Sequence, residues 1–124
     1  MYKLSLIFLI VSFSASAPVS VKLAEKDLGR TVELGIGETL EVELRGNPTT
    51  GYVWDIASLD MKILKQIGET EFTPDRKGRG VGGKVIMRFK AQGAGETLLK
   101  LIYHRRFEKE RPPTKTFEAT IIVK

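Results

Sequence analysis

Apolar and polar residues alternate along most of this chain with the period of two that is typical of β-strands. The clearest runs are residues 39–45 and 84–90, and residues 97–103 and 115–123 are rich in leucine and β-branched side chains. Weaker strand patterns cover residues 20–23, 31–34, 52–57 and 61–67. Because such strands recur about every ten residues without a sustained helix pattern, we predict an all-β antiparallel sandwich or barrel of about seven or eight strands.

One segment allows a second interpretation. Ile56, Leu59 and Ile63 lie near helical spacing, so a short helix over residues 56–65 competes with the turn and strand predicted there.

The first 17 residues have the layout of a secretory signal peptide. Lys3 precedes an apolar run over residues 4–13, and Ala15-Ser16-Ala17 is a small-residue cleavage site. The run is shorter than the roughly 20 residues of a membrane-spanning helix. We therefore predict a signal peptide at residues 1–17 and one exported domain at residues 18–124, secreted or delivered to a periplasmic or endolysosomal lumen. A retained N-terminal anchor is the alternative.

Composition narrows the functional classes of the mature domain. Without Lys3 it has 19 basic and 15 acidic side chains, a charge of +4 that favours an acidic partner without requiring nucleic acid. The chain has no cysteine and one histidine, His104, and the only serines after residue 17 are Ser20 and Ser58. This set is poor for a catalytic triad or a metal site, so we expect no enzyme activity, metal or cofactor. We expect a monomer that does not insert stably into membranes.

Three turn-rich segments remain as candidates for function. They are residues 46–51, 74–83 and 104–115, here called loop 1, loop 2 and loop 3. Connections in a sandwich gather at its two ends, so loops of this kind can lie side by side.

Loop 1 has the composition of a stiff turn. Pro48 fixes its own φ and keeps Asn47 extended, and Gly51 permits a positive φ where the chain turns into the next strand. Thr49 and Thr50 are β-branched, with restricted side chains. Next in the chain, Tyr52 and Trp54 have the spacing of a strand and would anchor the loop in the core.

These residues resemble the signature of the chagasin family of cysteine-peptidase inhibitors. The first matching segment runs from Asn47 to Trp54, and Gly80-Val81-Gly82-Gly83 is similar to the family's Gly-x-Gly-Gly loop. Residues 103–108 stand where the family has Tyr-x-Arg-Pro-Trp or Arg-Pro-Phe, and the final strand also fits. The resemblance covers essentially all of the mature chain.

The resemblance implies an immunoglobulin-like sandwich with all three loops at one end, acting as a reversible inhibitor of papain-like cysteine peptidases. It implies that Thr49 and Thr50 lie at the peptidase's catalytic residues, with loop 2 on the non-primed side of the cleft and loop 3 on the primed side. The peptidase-binding residues implied in this way are Asn47, Pro48, Thr49, Thr50, Gly51, Tyr52, Arg79, Gly80, Val81, Gly82, Gly83, Arg105, Arg106 and Phe107.

Three positions depart from the family pattern. Arg106 and Phe107 stand at the proline and tryptophan positions of loop 3, so we expect this loop to be less pre-formed. Arg111-Pro112 offers a rival alignment that would lengthen the preceding strand. Arg79 stands where the family often has an aliphatic residue, which suggests a peptidase pocket that tolerates a basic group.

Two alternatives remain open, one for the role of the surface charge and one for the function of the domain. The cations of loops 2 and 3 can form a basic inhibitory end or simply a solvated surface. A secreted adhesion or assembly sandwich without a peptidase target is the alternative function.

Overall fold

The computed structural model of the protein describes residues 20–124 and contains nine β-strands in this part of the chain. The predicted signal peptide at residues 1–17 lies outside the described residues. The strands are β1 Ser20–Ala24, β2 Thr31–Leu34, β3 Thr39–Gly46, β4 Tyr52–Ser58, β5 Leu64–Gln66, β6 Glu71–Pro74, β7 Gly83–Ala91, β8 Gly95–Arg105 and β9 Lys115–Val123. Two short 3₁₀ helices cover Glu25–Asp27 and Pro48–Thr50.

The strands form two sheets. One has the order β1-β3-β7-β5, with β6 also paired to β7, and the other has the order β2-β9-β8-β4. Strands β5 and β6 share the same edge of β7, because β5 pairs with residues 89–91 and β6 with residues 83–86. Loop 1 connects β3 to β4, loop 2 connects β6 to β7, and loop 3 connects β8 to β9.

Both sheets are mixed, whereas the sequence predicted antiparallel pairing throughout. Strand β1 runs parallel to β3, and β2 runs parallel to β9. These two strands follow each other in sequence but belong to different sheets, so no hairpin turn determines their direction. The prediction of an all-β sandwich is confirmed, with nine described strands in place of seven or eight.

The core lies between the sheets and is made by the alternating apolar residues. In β3, Leu40, Val42 and Leu44 are at most 1% exposed, while the side chains between them face outward. Leu99 and Leu101 of β8 are fully buried in the same core. Burying side chains of this size contributes about 1.5–3 kcal/mol each, so the alternation determines which face of each sheet is inside.

The predicted strand runs are confirmed with small changes of boundary, with one exception. The strand predicted over residues 61–67 shortens to Leu64–Gln66. The alternative helix over residues 56–65 is wrong. Ile56 lies in β4 and pairs with Leu101 of β8, and the carbonyl of Asp60 accepts a turn hydrogen bond from the amide of Ile63. Strand β6 was not predicted, because its four residues are too few to show a period and the last of them is Pro74.

No helix in residues 20–124 is both long enough and apolar enough to cross a membrane.

Candidate functional site

The three candidate loops meet at one end of the sandwich and are hydrogen-bonded to one another. The side-chain amide of Asn47 in loop 1 donates to the carbonyl of Gly80 in loop 2, at 3.0 Å. Arg105 in loop 3 donates from Nε to the carbonyl of Thr50 in loop 1, at 3.1 Å. Loop 1 is therefore the centre of the group, with one bond to each neighbour.

Loop 1 forms a capped turn of 3₁₀ helix. Asn47 is the N-cap, since its side-chain oxygen accepts from the amide of Thr49 at 3.2 Å, and Pro48 occupies the first helical turn. Gly51 ends the helix with φ of 85°, the conformation that the sequence predicted for it. Residues 48–51 are exposed and Asn47 is half-buried, so the tip of the loop is open to a partner.

Both threonine hydroxyls at this tip are engaged within the loop. Thr49 Oγ1 donates to Asn47 Oδ1 at 2.6 Å, and Thr50 Oγ1 donates to the carbonyl of Asn47 at 2.7 Å. These bonds hold side chains that are already restricted by β-branching. The tip is consequently fixed before any partner arrives.

An aromatic cluster supports loop 1 from below. The Tyr103 ring lies between Tyr52 and Trp54, with centroid distances of 5.2 and 5.0 Å. The Tyr103 hydroxyl accepts from the amide of Asn47 at 2.9 Å, and Trp54 Nε1 donates to the carbonyl of Arg45 at 3.0 Å. These two bonds attach the N-terminal end of loop 1 to buried rings, and Tyr52, which follows its C-terminal end, stacks on the buried Tyr103 ring.

Loop 2 is closed at its base by an ion pair and a backbone bond. Arg45 binds Asp75 through both of its terminal nitrogens, with Nη1 2.9 Å from Oδ1, and the amide of Asp75 donates to the carbonyl of Gly82 at 3.1 Å. Hydrogen bonding from Arg45 lowers the pKa of the Asp75 carboxyl. Beyond this base the loop projects as an exposed turn.

The glycines of loop 2 meet different structural requirements. Gly80 has φ of 68°, which disfavours other residues, and its surroundings are open. Gly83 is buried at the start of β7, where an added Cβ would lie 2.1 Å from the carbonyl oxygen of Thr73. Gly83 was predicted to bind the peptidase, and this stays a prediction; the structure buries Gly83 where β6 and β7 approach each other, which accounts for a glycine there without a partner.

Loop 3 begins with two successive turns, over residues 105–108 and 108–111. The amide of Glu108 donates to the carbonyl of Arg105 at 3.0 Å, and the amide of Arg111 donates to the carbonyl of Glu108 at 3.2 Å. The Arg105 guanidinium lies 4.5 Å from the Tyr52 ring centroid and 3.2 Å from Glu108 Oε1. Arg105 thus connects loop 3 to loop 1 and to the aromatic cluster.

Phe107 is the most exposed large apolar side chain of this end, with 73% of its surface open. Its ring lies close to Gly51, where an added Cβ would be 3.4 Å away. Its centroid is 6.0 Å from the Arg105 guanidinium. An exposed aromatic ring beside the tip of loop 1 is the kind of side chain that anchors protein interfaces.

Arg106 extends away from the loop tips and binds Asp55 of β4. Its Nε and Nη2 atoms donate to the two Asp55 oxygens at 2.9 and 2.6 Å, and His104 Nε2 lies 2.7 Å from Asp55 Oδ2. The bonds from Arg106 lower the pKa of Asp55 to about 2 against the opposing effect of burial, and His104 adds to the lowering. The predicted contact of Arg106 with the peptidase stays a prediction; in the structure its exposed guanidinium binds Asp55 of the same protein.

Ion pairs neutralise some of the cations that the sequence places in loops 2 and 3. Glu108 lies near Arg105 and Arg111, and Asp55 binds Arg106. By contrast, no ion pair involves the three cations of loop 2 in the described part of the chain; these are Arg76, Lys77 and Arg79. Lys109 and Lys115 of loop 3 are likewise outside the ion pairs of the described residues, so both loops carry unpaired positive charge, and in loop 2 all three cations contribute to it.

Sequence reasoning missed the residues that hold the loops in place. Asp55, Asp75 and Glu108 accept the arginine bonds, and the Tyr103 hydroxyl fixes loop 1. The only sequence signal for Asp55 was an acidic residue directly after Trp54 in a strand. Among residues 20–124 there is no group of three or more His, Cys, Asp or Glu side chains that could hold a metal ion.

Comparison with known proteins identifies a family to which this chain is similar. Residues 33–121 match the family model described as Chagasin family peptidase inhibitor I42. The chain is 28% identical to Amoebiasin-2 of Entamoeba histolytica over 120 residues, which covers 94% of this chain and 95% of the relative.

Solved structures agree on the fold. The crystal structure of the cysteine protease inhibitor EhICP2 from Entamoeba histolytica superposes with a TM-score of 0.72 at 23% identity, covering 85% of this chain and 95% of that one. PbICP-C, solved in complex with falcipain-2, gives a TM-score of 0.52 at 19% identity and covers 86% of this chain and 91% of its own. The immunoglobulin-like form of the sandwich is thereby confirmed. With a family model matched over most of its length, this chain belongs to the chagasin family of peptidase inhibitors.

Proposed function

We propose that this protein inhibits papain-like cysteine peptidases by inserting loop 1 into the active-site cleft, with loops 2 and 3 on either side of it. The observation that carries the proposal is the bonding of all three loops around an exposed, rigid tip at residues 48–51. The relatives of this protein are peptidase inhibitors, and the protein is not an enzyme.

The conformation of loop 1 explains how it would fill a cleft without being cut. A peptidase cleaves a substrate held extended, with one carbonyl aligned for attack by the thiolate. Residues 48–50 are instead in a 3₁₀ turn, closed by the bond from the amide of Gly51 to the carbonyl of Pro48 at 3.1 Å. Presenting an aligned carbonyl would require this turn to open and the threonine bonds to break.

Rigidity also favours tight binding. The tip loses little conformational freedom on association because its hydroxyls, cap and flanking loops are already in place. An interface of standard size, about 1,600 Å² in total, can then be strong because the ordering cost is small.

The decisive experiment is a titration of papain and of a cathepsin-like enzyme with a protein made of residues 18–124. The residual peptidase activity is measured at each inhibitor concentration. We expect stoichiometric, reversible inhibition by the wild type. A Thr49→Ala, Thr50→Ala variant should inhibit at least about tenfold more weakly while remaining folded, since the substitutions remove exposed contacts and two loop bonds. Untouched peptidase activity at micromolar excess of the wild-type domain would exclude the proposed function.

Arg79 carries the proposed target preference. It is exposed in loop 2, and no ion pair holds it within the described residues. We propose that it faces a specificity pocket that tolerates a basic group. Arg79→Leu should then weaken inhibition of peptidases with such a pocket more than inhibition of those that prefer aliphatic residues, as measured by inhibition constants for one enzyme of each type. Equal changes for both enzymes would remove this preference.

We also propose that residues 1–17 direct export and are removed. The support is the order of basic, apolar and small-residue segments in the sequence. Expression of the full chain in a secreting host, followed by N-terminal sequencing of the released protein, should give Pro18 as the first residue. A secreted protein that retains Met1, or one found only with the membrane fraction, would contradict the cleavage.

A further inference from the structure

Loop 3 places Arg106 at a turn position where proline is the favoured residue. The bond from the amide of Glu108 to the carbonyl of Arg105 defines a four-residue turn over residues 105–108, and Arg106 is its second residue. Proline is preferred at that position because its ring fixes φ near the required value. Arginine supplies no such restraint, so the turn needs another source of order.

The side chain of Arg106 provides a restraint of a different kind. Its guanidinium forms two parallel bonds to Asp55, which belongs to β4 and pairs with Ile102 of the neighbouring strand β8. A bidentate pair fixes direction as well as distance. His104 binds the same carboxylate from within β8, so Asp55 is itself held in place.

This arrangement differs from an isolated surface ion pair. The Asp55 side chain is only 27% exposed, although that of Arg106 is 70% exposed. Single-bonded pairs between two mobile surface side chains contribute little order, whereas two bonds to a carboxylate fixed in a strand hold the arginine in one orientation. The next residue is Phe107, so whatever orients Arg106 also determines where the exposed ring is presented.

We propose that Asp55 and Arg106 are positioning residues that hold the first turn of loop 3, and with it Phe107, in the geometry that meets the peptidase. The charged pair does the work of the missing proline, and Arg106 acts on binding through the turn without touching the partner. The consequence for inhibition rests on the function proposed above; the consequence for the order of loop 3 does not.

The test is a double-mutant cycle of the wild type, Asp55→Asn, Arg106→Pro and the double variant, each as residues 18–124. Asparagine is nearly isosteric with aspartate but removes the charge that both Arg106 and His104 bind. Proline restores the φ restraint and removes the guanidinium. Glu41→Gln is the matched control, because Glu41 also binds an arginine, Arg88, but on β3 in the other sheet. Inhibition constants for papain, thermal unfolding, and NMR backbone order parameters of residues 106–110 are measured for each protein.

We expect Asp55→Asn to raise the inhibition constant about tenfold, equivalent to about 1.4 kcal/mol, and to lower the order parameters of residues 106–110 from the rigid range toward about 0.6. Glu41→Gln should change neither quantity. Adding Arg106→Pro to Asp55→Asn should recover most of the lost inhibition and order, because proline makes the pair unnecessary. Rescue by a residue without any charge separates positioning from direct contact and from a general loss of stability.

Three results would overturn the proposal. The first is an Asp55→Asn variant that matches the wild type in both inhibition and loop order. The second is a double variant no better than Asp55→Asn alone, which would mean that Arg106 contacts the peptidase directly. The third is unchanged order parameters in Asp55→Asn despite weaker inhibition. If even the wild type does not inhibit papain, the proposed function fails, and the order parameters alone then decide whether the pair holds the turn.

Discussion

A single methyl group added at Gly83 should damage this protein far more than the same group added at Gly82. An ideal Cβ at Gly83 would lie 2.1 Å from the carbonyl oxygen of Thr73 and 2.7 Å from Cα of Pro74. Both atoms belong to the backbone of β6, which pairs with β7 at this point. At Gly82 the nearest atom is the carbonyl oxygen of Gly46 at 3.4 Å, an ordinary van der Waals contact.

The magnitude follows from what must move. No rotation of a side chain can relieve contacts with backbone atoms, so β6 has to shift away from β7 or the base of loop 2 has to open. Forcing extra volume into a packed site typically costs 1–3 kcal/mol. Taking about 2 kcal/mol for Gly83→Ala, we expect the melting temperature to fall by roughly 8–16 °C for a domain of this size.

The assay compares Gly83→Ala with Gly82→Ala by thermal unfolding and by inhibition of papain. Neither position has a positive φ, so backbone strain does not confuse the comparison. Gly83→Ala should lose stability and also inhibit more weakly, because loop 2 begins at the distorted strand pair. Gly82→Ala should unfold close to the wild-type temperature.

The reasoning would be refuted by two alanine variants with the same melting temperature. It would also be refuted by a Gly83→Ala variant that is fully stable yet no longer inhibits, since that result would make Gly83 a contact residue.

Three further predictions follow from the site. Tyr103→Phe keeps the aromatic cluster but removes the acceptor for the Asn47 amide. The free energy of unfolding, measured by urea titration, should therefore fall by about 1 kcal/mol. An unchanged value would show that water replaces the hydroxyl. The pKa of Asp55 is about 2 in the folded protein, below its ordinary value of 3.8, so its ionised form stabilises the fold above about pH 4 and this contribution is lost as the pH falls toward 2. Unfolding of the wild type and Asp55→Asn should therefore converge between pH 5 and pH 2, and a constant difference would contradict the ion pair. Replacing Arg76 and Lys77 with serine should lower the association rate with an acidic peptidase and flatten its salt dependence while leaving dissociation nearly unchanged, as followed by stopped flow; a change confined to dissociation would argue against electrostatic steering.

The sequence was sufficient for most of the fold because the alternating runs are long. The pattern in β3 places Leu40, Val42 and Leu44 on one face, and the structure buries all three. It was insufficient where pairing depends on distant partners. Nothing local distinguishes a parallel from an antiparallel partner for β1 or β2, and the four residues of β6 are too few to show a periodic pattern.

The site was predictable to the extent that it depends on local backbone preferences. The extended Asn47, the turn at Pro48 and the positive φ of Gly51 follow from residue type and agree with the structure. The contacts that unite the loops join residues about 30 to 56 positions apart, such as Asn47 with Gly80 and Thr50 with Arg105. Such pairs depend on how the strands are ordered, which a periodic pattern does not reveal.

The bonds between the loops have one property that bears on how such inhibitors diversify. In both, a side chain of one loop donates to a main-chain carbonyl of another: Asn47 to Gly80, and Arg105 to Thr50. A carbonyl is present whatever the residue, so the accepting loop can exchange its exposed side chains without losing the attachment. Positions such as 79 can therefore change with each new target enzyme, while Asn47 and Arg105 keep the framework in which those changes are tried.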